Sequence, residues 1–308
     1  MTTTDEANNQ AGSSRNPDTA TGIIGTIAAV TVAALIAWLA SDGGARAGGI
    51  PVMVLCAVFA FAVQWLVFVH AWTKRTEHYF DLTGSLTYIV MVIAAVTLTG
   101  ATDVRSLTIA LLILVWALRL GPFLFRRVKN AGEDRRFRSL KQSFPMFLMT
   151  WTLQGTWVFV TACCALAALT SGRVVAPDAW FVLGLVLWVL GFAIEVVADN
   201  QKTRFRADPA NAQRYITSGL WAWSRHPNYF GEIVLWLGIA LMAVPTLAGW
   251  QFVTLISPVF VVVLLTFISG VRMLENRADK RWGNDPDYQA YKRDTPVLML
   301  WFPKRAAG

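Results

Sequence analysis

The stretch Trp223–Trp236, WSRHPNYFGEIVLW, crowds Arg225, His226, Asn228, Tyr229 and Glu232 onto the start of an otherwise apolar helix. His226-Pro227 favours an extended residue followed by proline in a helix's first turn. The free N–H groups of such a start suit a phosphate or carboxylate. Glu232 lies more than one turn inside the apolar run, where hydration no longer explains a carboxylate; the plain structural alternative is a local pair with Arg225 or His226. In the preceding apolar segment, Glu195, Asp199, Lys202 and Arg206 fall at i, i+4, i+7 and i+11 and share one helical face. Two acids at i, i+4 repel, and need a partner helix, a ligand or protonation to compensate them.

Other polar residues sit in comparable positions. Asp81 stands at the mouth of an apolar span, with Tyr79 and Tyr88 near it in sequence. Arg119 lies on a span one turn after Trp116, where it either snorkels to the interface or faces a partner. Gln154 is mid-span, as helix–helix glue or as a ligand contact. After the last apolar run come Arg272 and Glu275, then Tyr288, Tyr291 and Lys292, in a basic amphipathic segment that would also lie well on anionic lipid. Together, acids, amides and tyrosines ring a cavity mouth among arginine-rich loops. The pattern suits a polyphosphate or other anionic soluble ligand whose reactive end meets an apolar ligand delivered from the bilayer.

Other chemistries find no support. His70, His78 and His226 are scattered without metal-ligand companions, so no metal is expected. G-x-G-x-x-G, the P-loop pattern and the G-x-S-x-G elbow are all missing. Cys56, Cys163 and Cys164 lie inside apolar runs and read as packing residues.

The elements that must position these groups are membrane helices. Of 308 residues, 55% are hydrophobic and 15% charged, against roughly 25% charged in soluble domains. Eight runs are long enough to cross a bilayer: about 22–41, 50–72, 82–100, 106–125, 144–170, 179–199, 229–246 and 249–270. The net charge of +8 gathers in loops 126–143 and 200–228 and after 270, which eight spans place on one side with loop 73–81 and the N-terminus. The opposite loops hold only Arg46, Arg105 and Arg173, so both termini and the basic loops are expected in the cytoplasm, in a multi-pass inner-membrane protein. Charge confined to such loops argues against nucleic acid as a partner. Without a G-x-x-x-G face on an outward span, a monomer is expected. The fold class is all-α, a polytopic membrane helical bundle. It divides into a disordered tail (1–20), N-terminal transmembrane helices (21–72), a core with basic loops (73–270) and the amphipathic C-terminal segment (271–308).

The segments ADNQKTRFR, GLWAWSRHPNYFGEIVLWLG and LENRADKRWGNDPDYQAYKRDTPVLML resemble the steroid 5-alpha-reductase superfamily, in particular its bacterial DUF1295 branch. FDLTGSLTY, RLGPFLFRR, GEDRRF and LQGTW extend the likeness to nearly everything after about residue 74. R-H-P-N-Y-x-G-E is shared in part with isoprenylcysteine carboxyl methyltransferases, which use S-adenosylmethionine; the A-D-x-Q-K segment favours the reductases.

The resemblance implies a seven-helix reductase core, here with one extra N-terminal transmembrane helix. Such a core holds NADPH and reduces a carbon–carbon double bond conjugated to a ketone in a steroid-like or other lipid. Asn228 and Glu232, with His226 and Tyr229 beside them, would hold the nicotinamide end. Asp199, near Glu195, would contact ribose and phosphates with Lys202 or Arg206. Arg119, Arg225, Arg272 and Tyr288 or Tyr291 would take the pyrophosphate, ribose and adenosine. An acid and a tyrosine from earlier helices would face the substrate carbonyl: Asp81 fits the acid, but Trp116 stands where the tyrosine is sought, leaving Tyr79 or Tyr88 to supply a hydroxyl.

Overall fold

The computed structural model describes residues 17–302. Most of the expected polar tail lies outside the described residues, but Pro17–Ala20 form the first turn of helix α1 (Pro17–Ala40) and not a tail. A small hairpin, β1 (Arg46–Ala47) and β2 (Ile50–Pro51), leads into α2 (Val52–Lys74). Then follow α3 (Phe80–Thr99), α4 (Val104–Ala131), α5 (Phe144–Thr170), α6 (Ala179–Ala207) and α7 (Pro227–Ala243). Eight segments of the described residues are long and apolar enough to cross a membrane. The chain is a polytopic helical bundle.

Two expected loops are partly helix. α4 runs on to Ala131 and α6 to Ala207, so Arg126, Arg127 and Lys202–Arg206 are carried on helical extensions of their spans. The eighth span departs most from a simple helix. It opens as a 3-10 stretch (Gly249–Leu255), becomes α8 (Ile256–Val263), loosens into a π turn (Leu264–Ile268) and breaks before α9 (Val271–Trp282). Pro258 near its start lacks the N–H that a regular α-helix would use there. The last helix among the described residues is α10 (Pro286–Asp294).

α5 is the axis. Its small residues from Ala162 to Ala168, with Cys163 and Cys164 among them, are all buried, and α1, α2, α3, α7 and α8 pack around it. All three cysteines are free and buried, as packing residues should be.

At the end away from the basic loops, Arg105 is not a loop charge at all. It is 1% exposed, donates to the carbonyls of Val175, Ala176 and Met242, and pairs with Asp178 at 2.8 Å. That clamp ties α4 to the 171–178 connection and the end of α7. At the basic end Glu77 accepts the Asp134 N–H (2.7 Å) and Lys141 Nζ (2.5 Å), while Arg75 donates to the Lys141 carbonyl. Segment 132–143 is thereby folded over the start of α3.

Candidate functional site

The site grows from the contact between α6 and α7. A Cβ on Gly231 would lie 2.5 Å from the Gly191 carbonyl and 2.7 Å from the Glu195 amide, so only glycine permits this approach. It brings Glu195 and Glu232 side by side. The like-charged pair on α6 has its compensation on α4: Arg119 Nη1 meets Glu195 Oε1 and Nη2 meets Asp199 Oδ2, both at 2.5 Å. Trp116 Nε1 donates to Glu195 Oε2 at 3.2 Å, and Asn228 Nδ2 donates to Asp199 Oδ1 at 3.2 Å. Trp116, Arg119, Glu195, Asp199 and Asn228 therefore form one network, and Arg119 neither snorkels nor stands free.

Glu232 is different. It is 8% exposed and, among the described residues, makes no hydrogen bond and no ion pair. It lies within electrostatic range of Arg119 and Asp199, and of Glu195, Tyr229 and Tyr88. Asp81 feels Arg136 and Arg127, and the same two arginines act on Tyr229. Arg136 is held in place by Asp134 (2.8 Å from Nε), whose own carboxyl stays ionised to low pH: burial opposes its charge, but hydrogen bonds and charge from Arg136 outweigh burial. Lys202 lies over the Trp221 ring at 4.1 Å. Arg127 and Arg206 are exposed and, among the described residues, without ion pairs.

A second cluster forms around Glu275 of α9. Arg225 pairs with it at 3.1 Å and His226 Nε2 at 2.9 Å, so the expected local partner for these two residues is not Glu232. Burial pushes His226 below the ordinary histidine pKa, the hydrogen bond to Glu275 opposing. Tyr291 donates to the Trp221 carbonyl at 2.6 Å, and Tyr288 to Asp279 at 3.3 Å. Arg225, His226, Tyr288 and Tyr291 thus fasten α9 and α10 beneath the 219–226 loop. His226 links the two clusters by stacking on Tyr229, with ring planes 10° apart and centroids 5.8 Å apart.

Two expected residues stand apart. Tyr79 is 45% exposed and stacks on Phe125, and Arg272 is exposed with no ion pair among the described residues. Tyr88 is buried between Trp116 and Trp236, at centroid distances of 5.2 and 5.8 Å. Gln154 donates to the Phe80 carbonyl at 2.6 Å, as helix glue beside Asp81. Glu275 and Arg136 were less legible: each is one charge in a run of charges, and only its tertiary partner distinguishes it. Among the described residues there is no group of three or more His, Cys, Asp or Glu placed to hold a metal ion.

A family model described as "Protein of unknown function (DUF1295)" matches residues 64–295, and the chain belongs to that family. It aligns with an uncharacterized protein of Schizosaccharomyces pombe at 24% identity over 218 residues, 61% of either chain. The 3-oxo-5-alpha-steroid 4-dehydrogenase 1 of Bos taurus is 33% identical over 75 residues, 24% of this chain and 29% of that protein. A protein named "Probable O-methyltransferase" from Ustilaginoidea virens is 26% identical over 84 residues, 27% of this chain and 30% of the relative. The matches thus span less than two thirds of each relative. No solved structure matches.

Proposed function

We propose that this protein is a membrane oxidoreductase that uses NADPH to reduce a carbon–carbon double bond conjugated to a ketone in a steroid-like or other lipid. The observation that carries the reading is Glu232, a carboxylate in a membrane span with no partner among the described residues, beside the side-chain amide of Asn228. An unpaired buried carboxylate is costly, and a ligand amide N–H is the group that would satisfy it. The nicotinamide carboxamide carries such a group. Further out, Lys202, Arg206 and Arg127 have no carboxylate within ion-pair distance among the described residues, as a phosphate-binding rim requires. Asp199 sits between these cations and Asn228, where it would accept from a ribose hydroxyl. The donor set therefore fits a phosphorylated dinucleotide.

When bound, NADPH would supply a hydride. The chain's own part is to bind, orient and exclude water. The Arg119–Glu195–Asp199 network fixes the floor of the site, and the 132–143 segment covers it from the basic side. The lipid would enter from the bilayer, with Asp81 at the mouth. In this reading the basic end and both termini face the cytoplasm, in the inner membrane. The alignments with 3-oxo-5-alpha-steroid 4-dehydrogenases support the reductase class.

A methyltransferase using S-adenosylmethionine is the second reading, supported by the O-methyltransferase relative. That cofactor has no phosphate for the rim cations to neutralise. Thermal unfolding of the purified protein separates the two. Stabilisation by NADPH, with none by S-adenosylmethionine, is expected; the reverse pattern would replace the first reading by the second.

A further inference from the structure

Two cavities meet between α1 and α2, in the half of these helices away from the basic loops. The larger, about 410 Å³, is a groove walled by aliphatic and aromatic side chains. Val30, Ala34 and Trp38 line it at i, i+4 and i+8 of α1, and Val54, Val58 and Trp65 at i, i+4 and i+11 of α2. Each set is one helical stripe, so the groove runs lengthwise along both helices. At about 1.5 Å per residue the stripes are about 12 and 17 Å long, close to the hydrocarbon depth of one leaflet, about 15 Å. The groove stays open because α1 is seated on α5: a Cβ on Gly22 would lie 2.6 Å from the Pro145 backbone, and Thr156 Oγ1 donates to the Ala29 carbonyl at 3.3 Å. Trp65 closes its inner end, fixed by an Nε1 bond to Thr152 Oγ1 at 3.0 Å.

The smaller cavity, about 300 Å³, continues the groove outward, with Trp38 lining both. Its polar members are one cation and one carboxylate. Arg46 is exposed, donates from Nη1 to the Gly49 carbonyl at 2.9 Å, and has no ion pair among the described residues. Asp42 is held by the start of the eighth span: Oδ2 accepts the Trp250 N–H at 2.9 Å, and its carbonyl accepts from Gln251 Nε2 at 2.8 Å. Oδ1 accepts no hydrogen bond among the described residues. Trp38 and Trp250 flank the cavity, both largely exposed, as tryptophans at a membrane–water interface are.

An apolar channel one leaflet deep, ending in a fixed cation and a fixed carboxylate, has the form of a zwitterionic lipid. We infer that it binds one phosphatidylethanolamine molecule. The phosphate meets the remaining N–H donors of Arg46, the ammonium donates to Asp42 Oδ1, and one acyl chain lies along the groove. Choline has no N–H to give Asp42, so phosphatidylcholine binds less well. α1 and most of the α2 wall precede residues 64–295, the stretch that defines the family, so the site is an addition to the family's fold. It stands independently of the reductase reading.

The test is native mass spectrometry of the full-length protein, delipidated in detergent and titrated with palmitoyl-oleoyl phosphatidylethanolamine or phosphatidylcholine. Wild type is expected to take up one phosphatidylethanolamine at a concentration about tenfold below that needed for phosphatidylcholine. Asp42→Asn should abolish this preference. Arg46→Gln and Ala62→Phe, which fills the groove, should each weaken binding of both lipids about tenfold, and Val186→Phe on the exposed face of α6 should change nothing. Melting temperatures without lipid identify any variant that is misfolded; Arg46→Gln and Asp42→Asn, at exposed positions, decide the matter if Ala62→Phe is one. Equal uptake of the two lipids by wild type, or uptake indifferent to Arg46→Gln and Asp42→Asn, would show annular lipid only and overturn the inference. So would a dimer that Ala62→Phe dissociates, since a second copy of the chain would then fill the groove.

Discussion

Arg119 holds two acids at once, and its substitution leaves Glu195 and Asp199 buried with only neutral donors, Trp116 and Asn228, and no cation. Breaking a buried pair typically costs about 3–5 kcal/mol. Arg119→Met is therefore expected to lower the melting temperature by many degrees, and adding Glu195→Gln should restore part of the loss; equal melting of the single and double variants would contradict the network. The repulsive i, i+4 spacing of Glu195 and Asp199 made the need for compensation legible in the sequence. Which helix supplies it was not legible, because spacing along α6 says nothing of its neighbours. His226 gives a pH signature. Burial holds its pKa below the 6.5 of a free histidine, so the unfolded chain takes up a proton that the folded chain resists. Stability is then unaffected above 6.5 and falls as pH drops from 6.5 towards the folded value. Wild-type melting temperature should decline over that window more steeply than that of His226→Gln, as thermal scans at stepped pH would reveal; parallel declines would exclude a role for this imidazole.

Among the elements, the α6–α7 pair decides the site's geometry. Gly184 faces Gly238 and Gly191 faces Gly231, each with a carbonyl 2.5 Å from the would-be Cβ of its opposite. Gly231→Ala is expected to push the helices apart, cost about 1–3 kcal/mol of stability and weaken NADPH binding, because it displaces Glu232 from Glu195. Unchanged stability and affinity would show that the helices have slack. The spans were legible from their apolar lengths to within a few residues. Their charged extensions were not, since Arg126–Arg127 and Lys202–Arg206 look like loop until the 3.6-residue ladder is seen to continue. The eighth span was the least legible element. Its break before α9 packs against Tyr229, leaving 2.8 Å between that ring and a Cβ on Gly270, a constraint that exists only in the folded bundle.

For the whole molecule, eight membrane-length segments place the basic connections at one end and the Arg46 hairpin at the other. The three native cysteines are buried, so an introduced surface cysteine can be labelled selectively. Arg214→Cys is expected to react with an impermeant maleimide only from the cytoplasmic side, and Arg46→Cys only from the opposite side; labelling of both from one side would break the topology. The central claim is that the unpaired Glu232 exists to meet the nicotinamide carboxamide. Its most direct test is titration of the purified wild-type protein and Glu232→Gln with NADPH, followed by nicotinamide fluorescence. Glutamine keeps the shape but gives up the carboxylate, so binding should be saturable in wild type and at least about tenfold weaker in the variant. Equal affinity in the two proteins, or no binding to wild type, would contradict the claim.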